Sequence, residues 1–229
     1  MKKSRHILGI SIVLLVTSVL ILSLSNNKDI QEEDPLITGD KFVEWGDTLK
    51  KYSYIPETTS NNIASYENID FITVPQKEID QTIEFYKLRG INDEAAAEKA
   101  ENYCKIRNAL YYEAIQQGFE VTDQEIYDYL EELKAVTETA SNKEQYELIV
   151  EGFGDEEEYW EYEFTVYQKN LPIQKMVDHL KETFYSENGM QAKDDYVESE
   201  DGVILGQKFN DYYEEYKEGL LTKYQYKVQ

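Results

Sequence analysis

Ala114-Ile115-Gln116-Gln117-Gly118-Phe119-Glu120-Val121-Thr122-Asp123-Gln124-Glu125-Ile126 reads as the end of one helix, a tight corner and the start of the next. Gly118 stands where a left-handed residue closes a helix, and glycine has no Cβ to clash there. Thr122 and Glu125 have the spacing of a capping box. The hydroxyl accepts from the Glu125 amide while the carboxylate reaches back to the Thr122 amide. Phe119 and Val121 can pack across the corner.

The flanking sequence continues the helical pattern. Asn92 or Asp93 caps a long helix through Gln117, with Ala96, Tyr103, Ile106, Leu110 and Ala114 as its expected inner face. After the corner a helix runs from Asp123 to about Val136, with Ile126, Tyr129, Leu130 and Leu133 inward. Ser141 or Asn142 caps a shorter helix carrying Tyr146, Ile149 and Val150, which Gly152-Phe153-Gly154 breaks. Asp155 caps the next, whose first turn holds Glu156, Glu157 and Glu158 against the positive end of the helix dipole. Leu171-Pro172 either kinks this helix or begins another, and Ile173, Met176, Val177, Leu180 and Phe184 carry the apolar face onward. Ser186 to Gly202 reads as a polar, acidic loop. A last helix is expected over Leu205 to Leu220, with Phe209, Tyr212 or Tyr213, Tyr216 and Leu220 on its apolar face.

Towards the N-terminus, Pro75 suits a first helical position, where its missing amide costs nothing. Ile79, Ile83 and Tyr86 then form a stripe that ends at Gly90. Asn68 to Val74 reads as extended, and so do Tyr224, Tyr226 and Val228, which alternate as a strand does. Phe42, Trp45, Leu49 and Tyr52 fit a short helix over Phe42 to Tyr54. Pro56 to Asn62 is a loop. The expected class is all-α, with a short strand or extended segment near each end of the domain. No internal repeat is present.

The first residues carry a different message. Lys2, Lys3 and Arg5 precede an uncharged run of 18 residues, Ile7 to Leu24. That is close to the length needed to span a bilayer as a helix, and the basic flank keeps the N-terminus inside. The expectation is an uncleaved transmembrane anchor with the rest of the chain outside the membrane. Ser23-Leu24-Ser25 also offers small residues to a signal peptidase, so cleavage after Ser25 and secretion is the second reading. A buried core helix is the third. The organisation is then residues 1–25 as cytoplasmic tip and signal anchor, 26–62 as a juxtamembrane linker containing the short helix, and 63–229 as the helical domain.

The 229 residues hold 23 basic and 46 acidic side chains. Without Lys2, Lys3 and Arg5 the balance beyond the membrane is 20 against 46, a formal charge of −26. Such a surface repels nucleic acid and anionic headgroups and draws cationic partners.

Catalytic chemistry is sparse. Cys104 is the single cysteine, so no intramolecular disulfide forms, and Ser25-Asn26 stands where a lipoprotein would carry its cysteine. Of two histidines, His6 lies at the cytoplasmic edge and only His179 lies outside, between Asp178 and Leu180 on a helix. A catalytic triad would need His179, and nothing near it has a nucleophile-elbow pattern, while a zinc site cannot be assembled from that set. No phosphate-binding or dinucleotide glycine motif occurs. The acids of Asp194 to Asp201 miss the EF-hand spacing. No cofactor, no metal and no enzymatic activity are expected, and a hydrolase built on two of the many carboxylates is the weakest alternative.

Twenty tyrosines and two tryptophans are what remains. They concentrate at Tyr159-Trp160 with Tyr162 and Phe164, and at Tyr212-Tyr213 with Tyr216. Tyrosine offers a broad apolar face and a hydroxyl that tolerates water, which suits an adaptable peptide-binding surface. The candidate client-binding residues are therefore Tyr159, Trp160, Phe164, Tyr212, Tyr213 and Tyr216. Filling gaps between packed helices is the competing use of the same rings.

Taken together these motifs resemble the N-terminal helical domain of the SurA, PrsA and trigger-factor group of chaperones. The likeness runs from about Ile69 to Val228: Phe71-Ile72-Thr73-Val74 before the helix opened by Glu78-Ile79, the Ala114 to Ile126 corner, Gly152-Phe153-Gly154-Asp155 before Glu158-Tyr159-Trp160, and the closing Phe209 to Val228. The resemblance implies a helical cradle for unfolded or extended exported polypeptides. The parvulin insertion of the isomerase members has no counterpart here, so isomerase activity is not implied. The expected function is a membrane-anchored chaperone-like protein outside the cytoplasm. The alternative is a scaffold subunit that docks one specific envelope protein.

Overall fold

The computed structural model describes residues 37, 39–53, 71–189 and 200–229. Seven helices and two short strands follow in order among them: α1 (Lys41–Tyr52), β1 (Ile72–Val74), α2 (Gln76–Leu88), α3 (Asp93–Gln116), α4 (Asp123–Thr137), α5 (Lys143–Phe153), α6 (Glu156–Glu187), α7 (Glu200–Lys223) and β2 (Tyr226–Val228). The fold is mostly helical, as the periodicity predicts. The expected anchor lies outside the described residues. Among those described, no helix is long and apolar enough to cross a membrane.

The corner between α3 and α4 forms as its residues dictate. Gly118 takes φ 83°. The Phe119 amide donates to the Ala114 carbonyl at 2.9 Å and the Gly118 amide to the Ile115 carbonyl at 3.0 Å, the paired closure of a Schellman motif. The Glu125 amide donates to the Thr122 hydroxyl and the Thr122 amide donates to Glu125 Oε2 at 2.9 Å, completing the capping box. Lys175 of α6 then donates to the other Glu125 oxygen at 2.6 Å, so the cap also ties the corner to α6.

Two larger cores share α6. One gathers Trp45 and Leu49 of α1, Ile126 and Leu130 of α4, Ile149 and Phe153 of α5, and Tyr159, Tyr162 and Val166 of α6. The other gathers Leu110 and Ala114 of α3, Ile173 and Met176 of α6, and Phe209, Tyr213 and Leu220 of α7. A smaller cluster of Val74, Ile79, Ala100, Tyr103 and Cys104 joins β1, α2 and α3. At 32 residues, α6 is about 48 Å long, enough to run through both cores.

Several expectations change. Pro172 does not start a new helix: α6 is continuous through it. The proline removes one intrahelical hydrogen bond, but Leu171, Pro172 and Ile173 are all buried, and that packing carries the helix onward. Of the expected loop from Ser186 to Gly202, Ser186 and Glu187 belong to α6 and residues 200–202 to α7, while 190–199 lie outside the described residues. On α2 the buried face is Ile79, Thr82 and Phe85, with Ile83 and Tyr86 only partly covered. Thr82 enters the interior because its hydroxyl donates to the Glu78 carbonyl at 2.7 Å. On α3, Ile106 is half-buried while Arg107, Asn108 and Glu113 are buried.

The short helix expected inside the linker is α1, and it belongs to the first core: Trp45 and Leu49 are buried and Trp45 packs on Phe85 at 4.9 Å between ring centroids. Within the expected extended segments β1 and β2 meet as a parallel pair, with Ile72 opposite Tyr226, Thr73 opposite Lys227 and Val74 opposite Val228. Tyr224 instead stays with the end of α7, its amide donating to the Leu220 carbonyl at 3.3 Å, and residues 68–70 lie outside the described residues.

Candidate functional site

α6 is an aromatic spine. Trp160, Phe164 and Tyr167 recur at i, i+4 and i+7 and share one helix face. α4 supplies a partner to each. Lys134 Nζ lies 5.1 Å from the Trp160 ring centroid. Tyr127 stacks on Phe164 at 4.5 Å and 28°, and Tyr129 meets Tyr167 at 5.0 Å. Further along α6, His179 packs beside Phe119 of the corner at 5.5 Å. Phe184 stacks on Tyr212 of α7 at 5.2 Å and 29°.

The six rings singled out in the sequence divide by exposure. Tyr159 is fully buried, edge-on to Phe153 and Tyr146, and Tyr213 is buried against Phe209. Both are core, as the gap-filling alternative has it. Tyr216 is half-buried and stacked on Tyr213. Phe164 is half-buried, and Tyr212, at 38% exposure, reaches the surface. The two concentrations sit on different cores and do not merge into one groove. Tyr127, missed in the sequence, is the most exposed of the large hydrophobic residues described, at 55%. Its signal was present: an aromatic on the outer face of α4 among Asp123, Gln124 and Asp128 has no place in the apolar stripe.

Trp160 is mostly buried and forms one wall of a cleft of about 350 Å³ where α4, α5 and α6 meet. Its indole Nε1 donates to the Tyr146 hydroxyl at 3.1 Å, and that hydroxyl donates to Glu156 Oε1 at 2.7 Å. Burial and then Glu156 hold the Tyr146 hydroxyl well above its ordinary range, so it stays a donor.

A second polar feature lies between α2, α3 and α6. Lys169 donates to Glu78 Oε1 and to Asn108 Oδ1, Asn108 donates to Glu78 Oε2 at 2.9 Å, and Arg107 lies 3.3 Å from the same oxygen. Arg107 also donates twice to Asn170 Oδ1, at 3.1 and 3.0 Å. Burial alone would raise the Glu78 carboxyl, but Lys169 and then Arg107 outweigh it and hold the group at about 2. One carboxylate thus serves two cations, and every member is hydrogen-bonded, which suits a structural knot. Nearby, Glu163 is buried with Oε1 unpartnered, and burial pushes its carboxyl up to about 8. Burial also pushes the Cys104 thiol to about 11, which leaves it protonated and a poor nucleophile at neutral pH.

No protein-family model, curated protein or solved structure matches the chain. What the molecule offers to a partner is therefore read from its surface alone. Among the described residues no group of three or more His, Cys, Asp or Glu side chains is arranged to hold a metal ion. The features that face solvent with recognisable binding chemistry are the Tyr127–Phe164 stack, the Tyr212–Phe184 stack and the Trp160 cleft.

Proposed function

We propose that the protein is a membrane-anchored, extracytoplasmic, chaperone-like binder of unfolded or extended exported polypeptides. The observation that carries this reading is the Tyr127–Phe164 stack: a ring more than half exposed, supported from beneath by a second ring on the longest helix. Stacked aromatics lose little side-chain entropy when they receive an apolar side chain, and their faces tolerate many sequences. The strongly acidic surface keeps such a binder dispersed and favours basic or loosely folded clients. The resemblance of the corner and of the two terminal extended segments to the SurA and PrsA type of domain points the same way. No isomerase step is assigned.

The test is suppression of light scattering from an unfolding secreted protein by the full-length chain held in nanodiscs. Protection near one-to-one stoichiometry is expected, and Tyr127→Glu is expected to halve it or worse while leaving the helical circular dichroism intact. No protection of any unfolded client at stoichiometric excess contradicts the reading.

A further inference from the structure

We propose that the cleft walled by Trp160 is a subsite for a lysine or arginine side chain of a bound polypeptide. This rests on the polypeptide-binding reading and gives it a preference. A space of about 350 Å³ takes a side chain and its immediate backbone but not a folded partner. Its walls carry Glu131, Glu138 and Glu156 against a single cation, Lys134. Glu131 pairs with Lys134 at 3.0 Å and Glu138 with Lys143 at 2.8 Å. Glu156 accepts the Tyr146 hydroxyl, and no ion pair to it occurs among the described residues.

The second observation is what already occupies the Trp160 ring. The Lys134 ammonium sits 5.1 Å from its centroid, within cation–π range. The ring is held in place for this: its Nε1 is fixed by Tyr146, and Tyr146 by Glu156. The protein's own lysine thus stands in for a ligand cation, between an aromatic wall and a carboxylate. A client cation that displaces Lys134 would take the same ring face and meet Glu156, to which no ion pair occurs among the described residues.

Spacing links the cleft to the exposed stack. Trp160 and Phe164 lie four residues apart on one face of α6, a rise of about 6 Å. Alternate side chains of an extended polypeptide are spaced by about 6.6 Å on one side. A client that places an apolar side chain on the Tyr127–Phe164 stack therefore has a neighbouring side chain within reach of the cleft. The preferred client segment is extended, with a lysine or arginine close in sequence to a large apolar side chain.

The test uses the full-length chain in nanodiscs of zwitterionic lipid and two fluorescein-labelled, unstructured peptides of eleven residues. One carries Leu-Ser-Lys at its centre and the other Leu-Ser-Gln. Fluorescence anisotropy is expected to show the lysine peptide binding at least fivefold more tightly, with the ratio shrinking as salt rises. Glu138→Gln with Glu156→Gln is expected to bring the ratio towards one. Lys134→Met, which keeps an aliphatic stem over the ring and removes the internal competitor, is expected to raise the lysine peptide's affinity threefold or more, a gain that misfolding cannot mimic. Equal affinity for the two peptides, or a preference that persists in the cleft variants, overturns the subsite and leaves polypeptide binding standing. Failure of both peptides to bind overturns both.

Discussion

Glu163 and Glu78 are two buried carboxyls on opposite terms with their surroundings. Glu163 has no cation to offset its burial, so its folded value of about 8 lies above the ordinary 4.5. The folded state keeps a proton that the unfolded state releases. Its contribution is full below about 4.5 and is lost as pH rises to about 8, at about 1.4 kcal/mol per unit. Glu163→Gln is expected to stabilise the fold at pH 7 by about 2–3 kcal/mol and to flatten that dependence, read by chemical denaturation at pH 5, 7 and 9. Glu78 behaves in the reverse sense. Its folded value of about 2 lies below 4.5, so its contribution is present above pH 4.5 and is lost as pH falls towards 2. Glu78→Gln leaves Arg107 and Lys169 sharing no carboxylate and is expected to cost about 3–5 kcal/mol in the same assay. None of this was legible in the sequence. Arg107 and Lys169 look like surface residues of helices, and only the meeting of α2, α3 and α6 makes them interior. The capping box was legible because Thr122 and Glu125 act within one helical turn.

At the scale of elements, the tightest joint is between α1 and α5. A Cβ added at Gly46 would stand 2.0 Å from the Ile149 carbonyl oxygen, and one at Gly152 would stand 2.0 Å from that of Val43. Both obstacles are backbone, so neither can swing aside. Gly46→Ala or Gly152→Ala is expected to lift α1 off α5, to cost about 2–3 kcal/mol and to shift Trp45 emission to the red as it meets water. Unchanged emission and stability would contradict this joint. Gly152 read as a helix breaker in the sequence, since the same residue type serves turns and close crossings and only the partner helix tells them apart. The period of apolar residues located α3, α4 and α5 well, because each buries one stripe. It left open whether Pro172 starts a new helix, and the burial of Leu171, Pro172 and Ile173 carries α6 through that local stop signal; it also set the start of α7 later than Glu200.

For the whole molecule, α6 joins two cores and presents its rings to α4 on one side and α7 on the other. The parallel pairing of β1 with β2 closes the domain by bringing residues 72–74 against 226–228. Residues 72–74 and 226–228 were each readable as extended, but their pairing across 154 residues was not, since strand partners leave no local mark. With Glu78 titrating in acid and Glu163 losing its benefit above pH 4.5, maximum stability is expected on the acid side of neutrality. A net charge of −23 repels itself most at neutral and alkaline pH and pushes the optimum the same way. A thermal midpoint that rises steadily from pH 5 to pH 9 would contradict it. The central claim is that this domain receives many polypeptides across the Tyr127 face. Its most direct test is photo-crosslinking in cells, with benzoylphenylalanine placed at Tyr127 of the full-length protein and, as a control, at Glu98 on the exposed side of α3. A broad set of crosslinked products is expected at Tyr127 and few at Glu98; one dominant product, or none above the control, would contradict that role.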